Sequence, residues 1–217
     1  MAETVVASAT RKDIHLGRRL VHVANGVAIA TAYAWLFTHE QVVHIFGVIA
    51  CVAYILDRVR IHYPELVQKI PQVNAAFFRA EEQLKESAMI PYAIAVLLTI
   101  LTFPKVIALI AIYTLAISDP LSALVGITWG RRHLVADKTI EGSLAFLGAT
   151  FVVAVVALST MTEAPAGSIA GAALSIGLAG AILEMLPLRI DDNLTIPLLV
   201  GFASWIVCWS ASIPVTS

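Results

Sequence analysis

From Ala116 to Ser143 the chain reads AISDPLSALVGITWGRRHLVADKTIEGS. The stretch closes an apolar run that begins at Val106 and ends at Trp129, and then turns polar. Asp119 falls inside that run. An ionisable group at membrane depth costs about 2.5–3.5 kcal/mol on insertion scales unless it is paired, hydrated or metal-bound, so it marks function by default. Pro120 has no backbone N–H to donate and predicts a bend or interruption of the helix. Beyond it come Gly126, Gly130, Arg131 and Arg132, then Asp137-Lys138-Thr139-Ile140-Glu141-Gly142-Ser143. An embedded acid followed by glycines, cations and a second acid suits the binding of a metal-bound phosphate.

Working outward, six more apolar runs flank this one. Approximate limits of all seven are Leu20–Phe37, Val42–Leu56, Met89–Phe103, Val106–Trp129, Leu144–Leu158, Ala164–Leu186 and Leu194–Ile213. A span needs about 20 residues. Only Pro104 and Lys105 separate the third run from the fourth, which predicts a tight turn. The chain is 59% hydrophobic and 13% charged, against roughly 45–50% and about 25% in soluble domains. The reading is an all-α polytopic membrane protein with about seven transmembrane helices. It has a polar N-terminal segment over residues 1–19 and one membrane-embedded domain over 20–214. The long polar start favours a retained anchor over a cleaved leader, although Ala32-Tyr33-Ala34 mimics a cleavage site. Cys51 and Cys208 both fall in apolar runs and, read as two buried thiols, form no disulfide framework.

With the N-terminus in the cytoplasm, every lysine and arginine except Lys105 falls in a cytoplasmic segment. Most acids fall there too, among them Asp57, Asp137, Glu141, Glu184, Asp191 and Asp192. Chemistry is therefore expected on the cytoplasmic face. The segment from Asp57 to Glu86 is long, and reads either as an amphipathic interfacial helix or as a plain connection. Gly167, Gly171, Gly177 and Gly180 give the sixth run a face of small residues that lets helices approach.

Each polar group has two readings. Gly126-Ile127-Thr128-Trp129-Gly130 either offers backbone N–H groups to phosphate or packs helices, and it lacks the Gly-Lys-Ser/Thr ending of a Walker A loop. Arg131, Arg132 and Lys138 either clamp a polyphosphate or hold the loop inside. Asp192 or Asn193 either caps the last helix or, with Glu184 and Asp191, contributes to a divalent-metal pocket. His22 and Asn25 share a face at the start of the first run, next to Arg18 and Arg19.

As a set, these residues resemble the CTP-dependent lipid kinase family, which includes dolichol kinase, yeast-type diacylglycerol kinase, phytol kinase and the bacterial diacylglycerol/polyprenol kinases. The resemblance rests on Arg18-Arg19 with His22, and on Asp119-Pro120 with Ser122, Ala123 and Gly126. It continues through Lys138-Thr139-x-Glu141-Gly142-Ser143, and Glu184 with Asp192-Asn193 before Pro197, spanning about Arg11 to Gly201. The family commonly has Gly where this chain has Ser118, and Ala where it has Leu121.

The resemblance implies an integral membrane phosphotransferase that moves the γ-phosphate of a nucleoside triphosphate, CTP in the characterised branches, to a lipid alcohol. The implied catalytic residues are Asp119, Lys138 and Glu141. Arg18, Arg19, His22, Gly126, Arg131, Arg132 and Asn193 would bind substrate or nucleotide. Asp119, Glu184 and Asp192 would hold Mg²⁺ or a similar divalent cation. Expected partners are diacylglycerol, a polyprenol or phytol, the nucleotide and the bilayer, with no nucleic acid; oligomeric state is open. The membrane would be the inner membrane of a bacterium, or the endoplasmic reticulum or a plastid membrane of a eukaryote. Two alternatives stand beside this. A phosphatidate cytidylyltransferase-like enzyme would release pyrophosphate. A transporter would place polar groups at the midplane of several spans.

Overall fold

In hydrocarbon a backbone must satisfy its own N–H and C=O groups, which selects helices for a chain with so many apolar runs. The computed structural model describes residues 20, 23–63, 89–135, 138–188 and 190–215. Within them the regular structure is helical, apart from one isolated bridge between His133 and Thr139. In chain order the helices are α1 (23–35), α2 (His39–His62), α3 (Met89–Thr102), α4 (Lys105–Tyr113), a π-helical turn (Thr114–Ser118), α5 (Asp119–Trp129), α6 (Ile140–Met161), α7 (Ala166–Glu184) and α8 (Asp192–Ser210).

Five segments are long and apolar enough to cross a membrane: His39–His62, Lys105–Trp129, Ile140–Met161, Ala166–Glu184 and Asp192–Ser210. The runs at 20–37 and 89–103 give the shorter α1 and α3. Two helices overrun the limits set by hydropathy. α2 starts at His39, because Thr38 and Gln41 form a reciprocal capping box there, and continues to His62. α6 starts at Ile140, capped by Thr139. Polar residues end an apolar run without ending the helix, since a first turn accepts acids and caps readily. α3 and α4 meet at Pro104, the tight turn expected.

The continuous rod from Lys105 to Trp129 is the axis of the bundle. Val106 through Ile112 are all buried, so this helix is enclosed around its circumference, as expected for one that is hydrophobic all round. α1 lies along it, with Thr31 Oγ1 2.9 Å from Tyr113 Oη. A Cβ added at Gly26 would come within 2.5 Å of Ala116 Cβ, so glycine is what permits that approach. α3, α6 and α8 also pack against the rod. At one end of the bundle Lys105 sits over the Tyr33 ring at 5.2 Å, and Tyr33 Oη lies 3.0 Å from His39 Nδ1. Residues 130–135, 138–139, 185–188 and 190–191 lie at the other end. α2 turns its stripe Val42, Phe46, Ala50, Ala53 inward; the stripe ends in a buried ion pair, Asp57 with Arg60, at 2.6 Å. Cys208 is buried, as expected, whereas Cys51 is exposed on the outer face of α2.

The glycine-rich run becomes α7, but only half of its glycines are at a contact. A Cβ at Gly177 would lie 3.0 Å from the Leu147 carbonyl oxygen, and one at Gly180 would lie 3.1 Å from the Phe146 ring. Nothing approaches Gly167 or Gly171. Gly177→Leu is therefore expected to lower stability by about 1–3 kcal/mol through forced separation of α6 and α7. Gly171→Leu should leave it unchanged or slightly raised. Paired melting curves in detergent check this, and equal losses from the two would refute the assignment.

Candidate functional site

The site begins with a fault in the rod. A proline inside an α-helix deprives the ladder of one donor. Here the fault is absorbed one turn earlier, where Thr114–Ser118 widens to a π turn and the Asp119 N–H reaches back to the Thr114 carbonyl. Pro120 then occupies the first turn of α5, where it is tolerated. π turns are frequent at functional sites. Ser118, standing where the resembled family has glycine, is fully buried and accepts a hydrogen bond from Thr150 Oγ1 of α6 at 3.0 Å.

One turn beyond Asp119, the Ser122 hydroxyl lies 3.0 Å from the Asp119 carbonyl oxygen and 3.4 Å from Glu184 Oε1. It has one hydrogen and serves one of them at a time. Glu184 ends α7 with its side chain 2% exposed, and its Oε1 accepts from Lys138 Nζ at 2.5 Å. Lys138 also faces Asp192 Oδ2, 3.8 Å away at the start of α8. Its position is set by a small loop: Leu134 N donates to the Lys138 carbonyl at 2.9 Å, and Lys138 N to the Val135 carbonyl at 3.1 Å. Burial alone would lower the pKa of this ammonium. The hydrogen bond and charge of Glu184, with the charges of Asp119 and Asp192, outweigh burial and raise it above the ordinary lysine value. Glu184 Oε2 is buried with no hydrogen-bond partner among the described residues.

Lys138, Glu184, Asp192, Ser122 and Asp119 thus converge, from segments far apart in the chain. No protein-family model, curated protein or solved structure matches the chain. The reading of the site therefore rests on its geometry and chemistry.

The other expected residues have different placements. Glu141 points back at its own loop, where Oε2 accepts from the backbone N–H groups of Arg131 at 3.1 Å and Arg132 at 3.5 Å. The side chains of Arg131 and Arg132 are exposed. Gly126 meets α6: an added Cβ would lie 3.0 Å from Thr139 Oγ1 and 3.9 Å from Gly142 Cα. Gly130 and Gly142 enclose the same threonine, so this glycine set is a helix crossing and needs no phosphate to account for it. The cap of α8 is neither Asp192 nor Asn193 but Asp191, whose Oδ1 accepts from Asn193 N at 2.9 Å. Arg18, Arg19 and His22 lie outside the described residues, as do Asp137, Arg189 and residues 64–88 of the segment read as interfacial.

Two contributors were not singled out for a role. Thr139, directly before an apolar run, carries a readable helix-start signal. Ser122 was legible only as part of the resemblance, since its partner is on another helix. Among the described residues no three His, Cys, Asp or Glu side chains are grouped closely enough to hold a metal ion alone.

Proposed function

We propose that this protein is an integral membrane lipid kinase, transferring the γ-phosphate of a nucleoside triphosphate to a lipid alcohol. The observation that carries the reading is the Lys138–Glu184 pair, a buried carboxylate with a half-buried ammonium, with Asp119, Ser122 and Asp192 around it at the end of an apolar bundle. A water-soluble donor and a bilayer-resident acceptor can meet at such a boundary. The alcohol oxygen forms a bond to the γ-phosphorus, the bond from that phosphorus to the leaving nucleoside diphosphate breaks, and the alcohol proton passes to a carboxylate. Phosphoryl transfer needs mainly positioning and charge stabilisation, and Lys138 supplies a fixed positive charge. CTP as donor follows from the resemblance of the motif set.

The donor atoms fit a hard divalent cation, being carboxylate and hydroxyl oxygens with no sulfur or imidazole among them. Mg²⁺ commonly takes one or two carboxylates and completes its shell with phosphate oxygens and water, which suits a site without three grouped acids. Asp119 and Asp192 would hold it. Bound there, it supplies charge neutralisation to the polyphosphate. In this reading α1 and α3 complete seven spans, and the N-terminus and the site are cytoplasmic. One membrane domain over 20–214 carries the activity, with Arg18 and Arg19 assisting from the N-terminal segment.

The test is an assay in detergent–lipid micelles with Mg²⁺, γ-labelled CTP or ATP, and diacylglycerol, a polyprenol or phytol offered singly. Label is expected in the organic phase. Asp119→Asn should reduce it by about a hundredfold or more, the scale of losing a positioned charged group in such a site. Unchanged turnover in Asp119→Asn would remove that residue from the site. No label with any alcohol would remove the kinase reading.

A further inference from the structure

At the end of the bundle away from Lys138 and Glu184 lies a groove that the proposed activity does not use. α1 and α2 are joined there by residues 36–38. Ala28 and Ala32 stand one turn apart on α1, and their methyl side chains leave a channel against Ile49 of α2. Its floor is Tyr33, Val42 and Phe46, all buried. The channel holds about 320 Å³. Phe37 and Ile45 line it and also line an adjoining hollow of about 420 Å³, whose other walls are Glu40, Gln41 and His44. Each volume falls within the range of ligand pockets, about 300–1,000 Å³. Together they form one groove, apolar along the helices and polar at its head.

The head of the groove has a defined hydrogen-bonding character. Glu40 and His44 share a face at the start of α2. An acid at a helix start complements the helix dipole, which accounts for the charge but not for its neighbours. His44 Nδ1 lies 2.8 Å from the Glu40 carbonyl oxygen. That oxygen only accepts, so Nδ1 donates, and the neutral ring keeps Nε2 as an acceptor. The Glu40 carboxylate has no partner among the described residues. Gln41 Oε1 accepts from Thr38 N at 3.0 Å, so the NH₂ group is the open end of that amide. An anion and a ring nitrogen thus face a cation bearing N–H groups, and an amide donor beside them faces an anion. The complement is a zwitterion of ammonium and phosphate. α2 is long and apolar enough to cross a membrane. There the channel walls select nothing by themselves, because lipid tails are as apolar as they are, and the polar head decides the occupant.

We infer that the α1–α2 groove binds a phospholipid with a primary-amine headgroup, of the ethanolamine type. One acyl chain lies between α1 and α2, the ammonium donates to Glu40 and to His44 Nε2, and the Gln41 amide donates to the phosphate. A choline headgroup carries the same charge but has no N–H to donate, so the site distinguishes the two. The lipid is a bound ligand that is not consumed, and its binding is independent of the proposed phosphate transfer.

The test uses the full chain in phosphatidylcholine nanodiscs. Each sample contains a small fraction of phosphatidylethanolamine or of phosphatidylcholine carrying a diazirine on one acyl chain. Labelled peptides are mapped after irradiation. Saturable labelling within residues 28–49 is expected, about three- to tenfold stronger from the ethanolamine probe, the scale of one or two charge-assisted contacts at an exposed site. Glu40→Gln, a change at an exposed position, should bring the two probes level. Ala28→Trp should remove groove labelling by both, and Ile49→Trp serves the same purpose from the other wall if the first variant fails to fold. Equal labelling by the two probes in the parent, or a preference that survives Glu40→Gln, would overturn the inference. So would labelling that spreads without saturation over the outer helix faces. Absence of groove labelling, together with a dimer that Ala28→Trp or Ile49→Trp dissociates, would give the groove to a second copy of the chain and overturn it as well.

Discussion

Lys138→Met is expected to abolish phosphate transfer and also to destabilise the fold. Glu184 is 2% exposed, and Lys138 is its partner at 2.5 Å. Removing the cation leaves a buried carboxylate with a serine hydroxyl as its one remaining hydrogen-bond partner among the described residues. Breaking a fully buried pair costs about 3–5 kcal/mol. Lys138 is 32% exposed, so water screens part of the interaction and about 2–3 kcal/mol is the better expectation. The double variant Lys138→Met, Glu184→Leu should recover most of that loss, because an apolar pair of similar volume is often neutral or better. It should not recover activity. Melting temperature and transfer, measured on the parent, both singles and the double, separate the two effects. A Lys138→Met protein that melts with the parent would show that the pair carries no stability.

The same pair sets a pH expectation. The pKa of Lys138 in the fold lies above its ordinary value of 10.5. A raised value means the stabilisation is complete below the ordinary pKa and is lost as pH climbs through the raised one. Stability from this pair should thus stay flat between about pH 7 and 10 and decline only above that. A fall between neutrality and pH 9 that Lys138→Met removes would contradict it.

Gly130→Ala is expected to be nearly as damaging as Lys138→Met, although it removes no charge. A Cβ there would sit 2.1 Å from the Gly126 carbonyl oxygen and 2.7 Å from Thr139 Cγ2. The first of these atoms is backbone and cannot rotate away. Either the end of α5 or the start of α6 must move, and Thr139, which caps α6 through the Gly142 amide, moves with it. Lys138 is the neighbouring residue. Overpacking of this kind costs about 1–3 kcal/mol, and backbone clashes fall at or beyond the upper end. Gly148→Ala is the matched control, since nothing lies within 4 Å of an added Cβ there. Loss of transfer in Gly130→Ala with an unchanged melting curve would mean that the loop relaxes without strain, and that the effect is local to the site.

The sequence was most legible where one physical rule acts locally. Apolar runs became helices because a bilayer leaves the backbone no alternative, and the Pro104 turn was visible for the same reason. Helix limits were less legible: Thr38 and Thr139 start helices that hydropathy begins several residues later. The site was legible as a set of residue types but not as a geometry. Ser122 and Glu184 are 62 positions apart, and Lys138 and Glu184 are 46 apart; only tertiary packing brings them together. Glu141 illustrates the limit. The resemblance implies a catalytic role for it, yet its carboxylate is engaged by the amides of Arg131 and Arg132 and so anchors the loop that presents Lys138. Gly126 likewise suited a phosphate cradle and is found at a helix crossing. In both cases a residue type admits two uses, and the neighbour that decides between them comes from a different segment.

The π turn at Thr114–Ser118 acts as a phase shifter. Each residue advances an α-helix by about 100°, so a turn holding one extra residue offsets everything after it by that angle. Upstream, Val106 to Ile112 are buried on all sides. Downstream, Ser122 faces Glu184 and Gly126 faces Thr139. Excising a single residue from 114–118 would leave composition, hydropathy and length almost untouched. It would nevertheless rotate Asp119, Ser122 and Gly126 together onto another face, like a key turned a quarter of the way in its lock.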